Sequence, residues 1–564
     1  MKTTFFLIII NALFSITMLA QNMEWPNKSE LEHNVDQLFN KWNDENSSGC
    51  VISIVQGGEI KYLQGYGMAN LEHGIPNHPR LSRYNIASVA KQFTSFAILL
   101  LEKDGKLSLN DDIRKYIPEL PDFGHNITLK HLATHTSGLR DQWDLLKIAG
   151  WRMDDVITNQ HAFNLIQRQE ELNFIPGDEF RYSNTGHTLL AEVVSRASKK
   201  SFASFVQQEI FDPLGMTNSF FLDDHQMLVK NLADSYDGSK SGGFKKSHML
   251  ISSVGATNLY STAEDMAKWA MNFDQHIVGD AQIIYKLNKA PFLNNGEKGE
   301  YALGQFPITY KGLIAFDHSG AEAAYESYFI RIPKHQFAVS VLANSGSFWA
   351  EGLGRRIVDI YLKDYLEDIE QPPSIDSQTN EIIKLPFGVL NGYEGQYWSE
   401  DQSLQREILL KKDTLYYTRS NSSASKLLPI NDNTFLMEDQ SVGVRIEFLK
   451  MNTGYAMNFI DNHDTIRFIP ILHVDIAEYT GTYYSRELQT YYHLNVLDDQ
   501  LIASHQRNPD ILIHPVQKNR FHSRTWFFKN ISFQRDENDK VVGFQISNRG
   551  VTNLSFLKVE LYDE

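Results

Sequence analysis

One cysteine in 564 residues, Cys50, leaves no internal disulfide and no thiolate metal cluster. The chain must be held together by its cores, and no metal and no cofactor is expected. Positive charge is also short: 53 Lys and Arg against 69 Asp and Glu give −16 at pH 7. That balance argues against nucleic acid and anionic membrane surfaces as partners, since tracking phosphates needs the opposite sign. Long apolar runs are missing everywhere except the first 20 residues, MKTTFFLIIINALFSITMLA. There Lys2, an apolar run from Phe5 and Ala20 before Gln21 read as a signal peptide over residues 1–20. The run is shorter than the roughly 18 residues of a spanning helix, and no cysteine follows it to carry a lipid. The expectation is an exported protein, periplasmic or secreted, with no integral membrane span after cleavage.

What is present is ordinary globular material, 42% apolar and 22% charged, long enough for two or three domains. Residues 50–70 read as two strands joined by Gly57-Gly58, a pair that tolerates the positive φ of a tight hairpin turn. SVAKQFTSFAILLLEKDG reads as a buried helix stopped at Gly105. Helical periodicity dominates to about Leu222, and between Tyr301 and Asn344 the pattern turns to strands. Strands at both ends with helices between predict an α+β domain over 24–370, its antiparallel sheet completed by the chain's return. Pro372-Pro373 marks a linker over 371–386.

After the linker the sequence repeats. Tyr393, Gly395, Tyr397, Ser399, Pro429, Asn433 and Phe435 recur 86 residues later at Tyr479, Gly481, Tyr483, Ser485, Pro515, Asn519 and Phe521. Ile466 and Phe468 recur at Leu554 and Phe556 with an offset of 88. Two small antiparallel β modules are predicted, 387–472 and 473–564, each closed or nearly closed so that few strand edges remain. Their aromatics, Trp398, Tyr416, Tyr417, Tyr483, Tyr484, Tyr491, Tyr492 and Trp526, are assigned mainly to core, and the tail is expected to form a lid or substrate gate against the first domain.

Ser88-Val89-Ala90-Lys91 puts a hydroxyl and an amine three residues apart, on one face if helical, where burial would lower the lysine pKa and make it a base. The same spacing at Ser423–Lys426 and Ser555–Lys558 falls in the β tail, where a step of three reverses the face. Tyr182-Ser183-Asn184 adds a phenol and an amide before a helix, although alone it reads as a capping turn. His318-Ser319-Gly320 lies on a strand, where Gly320 lets a substrate approach the backbone. The N–H of Ala321 and that of Ser88 then form a candidate oxyanion hole.

The ordered set Ser-x-x-Lys, Tyr-x-Asn, His-x-Gly resembles the serine β-lactamase and penicillin-recognising family in its class C-like form, over about residues 30–366. HLATHTSGL at 131–139, DPLGM at 212–216 and NLYSTAEDMAKW at 258–269 look familial too. The resemblance implies a β-lactamase-like fold followed by two lipocalin-like β-barrel modules. It makes Ser88 the nucleophile, Lys91 the base, Tyr182 the proton shuttle, and Asn184, His318 and Gly320 the substrate-side wall. Penicillin-binding members usually carry lysine where this chain has His318, and the histidine form is similar to the family's esterases and D-aminopeptidases. The implied reaction is hydrolysis of an amide or ester of a small molecule or short peptide, D-amino-acid or cell-wall derived, through a Ser88 acyl-enzyme. The alternative is an acylatable penicillin-binding sensor or a low-turnover β-lactamase. Glu322 and Glu326 are read as solvated carboxylates on a sheet edge. The sequence sets no oligomeric state.

Overall fold

The computed structural model describes residues 29–367, 382–402, 404–419, 424–438, 444–461 and 464–560. The signal-peptide stretch 1–20, residues 371–381 of the expected linker and Ser423 lie outside the described residues.

Within the first 367 residues the elements that matter are, in chain order, α1 (Glu30–Phe39), β1 (Cys50–Gln56), β2 (Glu59–Tyr66), α2 (Lys91–Lys103), α3 (Gln142–Ile148), α4 (Asn184–Ser198), α5 (Ala263–Gln275), β3 (Phe306–Tyr310), β4 (Leu313–Glu322), β5 (Tyr325–Ile332), β6 (Phe337–Ala343) and α6 (Ala350–Tyr361). Gly57 and Gly58 both take positive φ, 63° and 77°, and turn β1 into β2. The sheet order is β3-β4-β5-β6-β1-β2, and the chain closes it by pairing β6 antiparallel to β1, Cys50 opposite Ala343. β1 and β6 are buried on both faces, which is why CVISIVQ and FAVSVLA run apolar almost without alternation. One face packs against α5, the other against α6 and α1. Beside the sheet, α2 runs against α4 in the same core.

Two closed eight-stranded antiparallel barrels follow, over Gly395–Pro470 and Gly481–Val559, here barrel 1 and barrel 2. The repeated residues do the same work in each. Tyr397 donates to Tyr393 O and Tyr483 to Tyr479 O, both at 2.8 Å. Gly395 and Gly481 hold φ of 147° and 139°, a region side chains rarely enter. Most of the aromatics are interior, Tyr397, Tyr417, Tyr483 and Tyr492 among them, while Tyr491 and Trp526 are about half exposed, at 46% and 48%.

Barrel 2 is docked on the first domain. α3 sends Leu145, Leu146 and Ile148 into the barrel 2 core. Arg140, its side chain fully buried, pairs with Glu487 at 2.5 Å. The Tyr492 hydroxyl donates to Ile148 O, and the loop after the barrel's seventh strand accepts the Asp141 N–H at Gly550 O.

Candidate active site

Ser88 is presented by a tight turn. Ala87 holds a left-handed φ of 46°, with its N–H on Asn85 Oδ1, and a single 3-10 turn over Ala87–Ala90 runs into α2. A non-glycine residue in that region carries strain that the surrounding structure must hold. Ser88 is therefore on the 3-10 turn and Lys91 opens the α-helix, one turn on and on the same side. Lys91 Nζ lies 3.0 Å from Ser88 Oγ, 2.9 Å from Asn184 Oδ1 and 2.7 Å from Ala256 O. Burial pulls its pKa down to about 7, against the opposing pull of Asp141 and Glu322. When the amine is neutral, two N–H groups satisfy Asn184 and Ala256 and the lone pair faces the serine.

Tyr182 stands over the lysine, with Nζ 5.0 Å from its ring centroid. Its hydroxyl is buried and completes no hydrogen bond of standard length and angle, yet the Ser88 hydroxyl beside it still draws its pKa down. Burial wins, and the phenol is held protonated well above its ordinary range. Catalytic hydrogen bonds without substrate are often long, so the loose contact fits a group that tightens on binding. His135, itself at a left-handed φ of 56°, accepts the Ser183 N–H at Nδ1 and lies 4.2 Å, centroid to centroid, from Tyr182.

β4 forms the opposite wall. A Cβ on Gly320 would stand 2.6 Å from Ile86 O and 2.9 Å from Ser88 N, so only glycine lets the strand lie against the Ser88 backbone. The next residue, Ala321, is exposed, paired in register with Glu326, and Ser327 Oγ ties the neighbouring strand to Ile86 O at 2.7 Å. This brings together Ser88, Lys91, Tyr182, Asn184, Gly320 and Ala321.

His318 is placed differently from a free wall residue. It is buried, its Nδ1–H donates to Ser319 O at 2.6 Å, and Nε2 accepts from Tyr301 at 2.8 Å. Both nitrogens are used by the neutral ring, and burial with Lys91 nearby holds its pKa at about 3. Glu322 and Glu326 correct the sheet-edge reading. Glu322 accepts from Thr257 Oγ1 at 2.7 Å, interacts with Lys91 and is raised in pKa by burial, and burial lifts Glu326 to about 7.

Asp141 escaped the sequence reading. It caps α3 by accepting the Trp143 N–H, and its second oxygen takes both the N–H and the Nδ2–H of Asn184, at 2.6 and 2.9 Å. A linked path thus runs from Gly550 O of barrel 2 to Asp141, Asn184 and Lys91 Nζ. In the sequence this aspartate carries only a helix-cap signal.

With this geometry in hand, comparison with known proteins is decisive at the level of family: the model described as Beta-lactamase matches residues 32–360. The chain belongs to the β-lactamase family. It is a serine hydrolase of that type. Penicillin-binding protein 4* of Bacillus subtilis (strain 168) is 24% identical over 452 residues, 77% of this chain and 97% of that protein. The D-aminopeptidase of Gluconobacter oxydans (strain 621H) is 25% identical over 296 residues, 52% of this chain, and the match spans 55% of that relative's length. Among solved structures, the octameric penicillin-binding protein homologue from Pyrococcus abyssi shares the fold, with a TM-score of 0.54 and 24% identity over 78% of this chain and 99% of that one.

Proposed function

We propose that the protein hydrolyses amide or ester bonds of small substrates, D-amino-acid peptides and short esters foremost, through an acyl group carried on Ser88. The observation that carries this reading is the Lys91 amine at 3.0 Å from the Ser88 hydroxyl, with burial bringing its pKa to about 7. Neutral Lys91 takes the Ser88 proton as Oγ bonds to the carbonyl carbon. The N–H groups of Ser88 and Ala321 hold the developing oxyanion. Tyr182 gives its proton to the departing amine or alkoxide as the carbon–leaving-group bond breaks, and recovers one from Lys91. Water, deprotonated by the same pair, then releases the acid and regenerates the serine. Asn184 fixes the lysine and faces the substrate.

A neutral, fully engaged His318 offers no charge to a carboxylate beside the scissile bond, which favours peptides and esters over β-lactams. The similarity to a D-aminopeptidase points the same way, and the amino-terminal stretch supports action outside the cytoplasm. The test is a panel of D- and L-aminoacyl p-nitroanilides, p-nitrophenyl esters and nitrocefin against the wild type and Ser88→Ala. Continuous turnover of D-aminoacyl or ester substrates, lost in the variant, is the expected result. A single burst equal to the enzyme concentration means a sensor, and nitrocefin as the best substrate by a wide margin overturns the reading of His318.

A further inference from the structure

A groove of about 940 Å3 opens where β4 ends and runs out to the docked barrel. Sites that enclose a small ligand measure about 300–1,000 Å3, so this one has room for several residues of a chain. It starts at Glu322 and Ala323, one residue beyond the proposed oxyanion donor Ala321. Its sides come from the hairpin Ser235–Ser247 and from α3, and its outer wall comes from the barrel 2 loop that carries Arg507.

The lining of this groove is richer in basic than in acidic side chains, the reverse of the chain as a whole. The whole sequence has 69 acidic to 53 basic residues, whereas the groove is lined by five Lys or Arg and three Asp or Glu. Three of the five cations are neutralised in place: Arg152 by Asp154, Lys246 by Asp234 and Glu72, and Arg507 by Asp155. Lys147 and Lys245 make no ion pair within 4 Å among the described residues, although Asp237 stands opposite Lys245 across the hairpin and Asp154 and Asp155 attract Lys147 from farther off. Lys147 is part-buried, which pulls its pKa down, with Arg152 and Arg507 repelling the amine and Asp154 and Asp155 attracting it, and a bound anion would offset the cost of that burial.

We propose that this groove is an extended subsite for the acidic peptide portion of the substrate, in which Lys147 and Lys245 pair with side-chain or terminal carboxylates and barrel 2 closes the outer side. The proposal rests on the hydrolytic reading above, because it takes the bond cleaved at Ser88 to be continuous with the peptide in the groove. Glu322 at the inner end repels a carboxylate next to the scissile bond. The acidic residues are therefore accepted farther out, at the two lysines.

The experiment uses the full chain and three probes: D-alanyl-p-nitroanilide, a short D-alanyl peptide carrying glutamates beyond its second residue, and the same peptide with glutamines. In the double variant Lys147→Glu/Lys245→Glu, kcat/KM for the glutamate peptide is expected to fall about tenfold or more through KM, since like charges now face each other. The glutamine peptide and the p-nitroanilide should stay within about twofold, which also shows that the variant is folded and active. Equal loss on both peptides, or no preference of the wild type for the glutamate form, overturns the proposal. Binding of the labelled peptides to Ser88→Ala by fluorescence anisotropy separates the two readings. Charge-selective binding without hydrolysis in the wild type sinks the function and keeps the groove, and hydrolysis of the p-nitroanilide without charge-selective binding does the reverse. Tighter competition by an anionic polysaccharide than by the glutamate peptide rejects a peptide as the occupant.

Discussion

Barrels 1 and 2 carry one repeat and share its tyrosine-to-backbone bond, yet they differ in what they touch. Barrel 1 packs its own helix, Phe387–Asn391, against its core through Leu390. Among the described residues no hydrogen bond or ion pair joins it to the catalytic domain, and it meets barrel 2 through the stacked rings of Trp398 and His522, 3.7 Å apart. Barrel 2 has the catalytic domain's α3 in the corresponding role, with three apolar side chains inside its core. The hairpin that closes each barrel shows the divergence. In barrel 1 the ladder runs on to Asp461 opposite Asp464, whereas in barrel 2 it stops at Ile546 opposite Leu554 and leaves 547–553 free to reach Asp141 and Asn173. Closing a barrel needs only the repeated residues. Joining it to an active site needs residues that the repeat does not share.

The largest expected effect comes from the buried pair. Glu487→Ala removes the close carboxylate partner of buried Arg140, leaving it Gln169, the Thr552 carbonyl and Glu171 at 3.9 Å, and breaking such a pair costs about 3–5 kcal/mol. Its counterpart 86 residues earlier, Asp401, is exposed. Asp401→Ala should leave the denaturation midpoint and the activity unchanged, and a shift as large as that of Glu487→Ala would erase the distinction between the barrels. Next is Gly550→Ala. The added methyl would lie 2.3 Å from Asp144 Oδ2 and 2.9 Å from Asp141 Cβ, so it pushes on the carboxylate that orients Asn184. A loss of kcat of about tenfold is expected, the scale of a small misplacement of a catalytic group. Gly388→Ala in barrel 1 meets nothing within 4 Å and should be neutral or slightly stabilising.

The pH profile sharpens the same contrast. In the proposed mechanism Lys91 acts as a base only when neutral, and burial sets its pKa at about 7. Acylation should therefore rise with pH through about 7 and level off above it, falling about tenfold per unit on the acid side. Asp401→Ala and Gly388→Ala must keep that limb where it is, and a displaced limb in either would tie barrel 1 to the active site.

These contrasts also mark where the sequence could be read. Ser88 and Lys91 were legible because the hydroxyl and the amine are three residues apart and followed by an apolar helix, and the barrels because their glycines and tyrosines recur at a fixed step. Asp141 was not, since its second oxygen is used by Asn184, 43 residues away, and only the first does the local work of a cap. Arg140 and Glu487 are 347 residues apart, and nothing local to either predicts that both are buried. Glu322 looked solvated because edge carboxylates usually are, and Thr257, the residue that receives it, comes from a different part of the chain. His318 was legible as a position and not as a state, because its neutral form is fixed by Tyr301 and by the Ser319 carbonyl.

The smallest effect is the most discriminating. Tyr397→Phe and Tyr483→Phe each delete a 2.8 Å hydrogen bond to the backbone oxygen four residues back, leaving that buried acceptor unpaired, so each should cost its own barrel about 1 kcal/mol. What differs is who notices. Barrel 2 shares its core with α3, so in Tyr483→Phe the loss of activity in urea should move to lower denaturant together with the unfolding signal of that barrel. In Tyr397→Phe the activity midpoint should stay with the wild type, while barrel 1, followed by proteolysis or by the Trp398 environment, loosens earlier. Two activity midpoints that move by the same amount would mean that the chain unfolds as one unit, and the active site would then depend on both barrels alike.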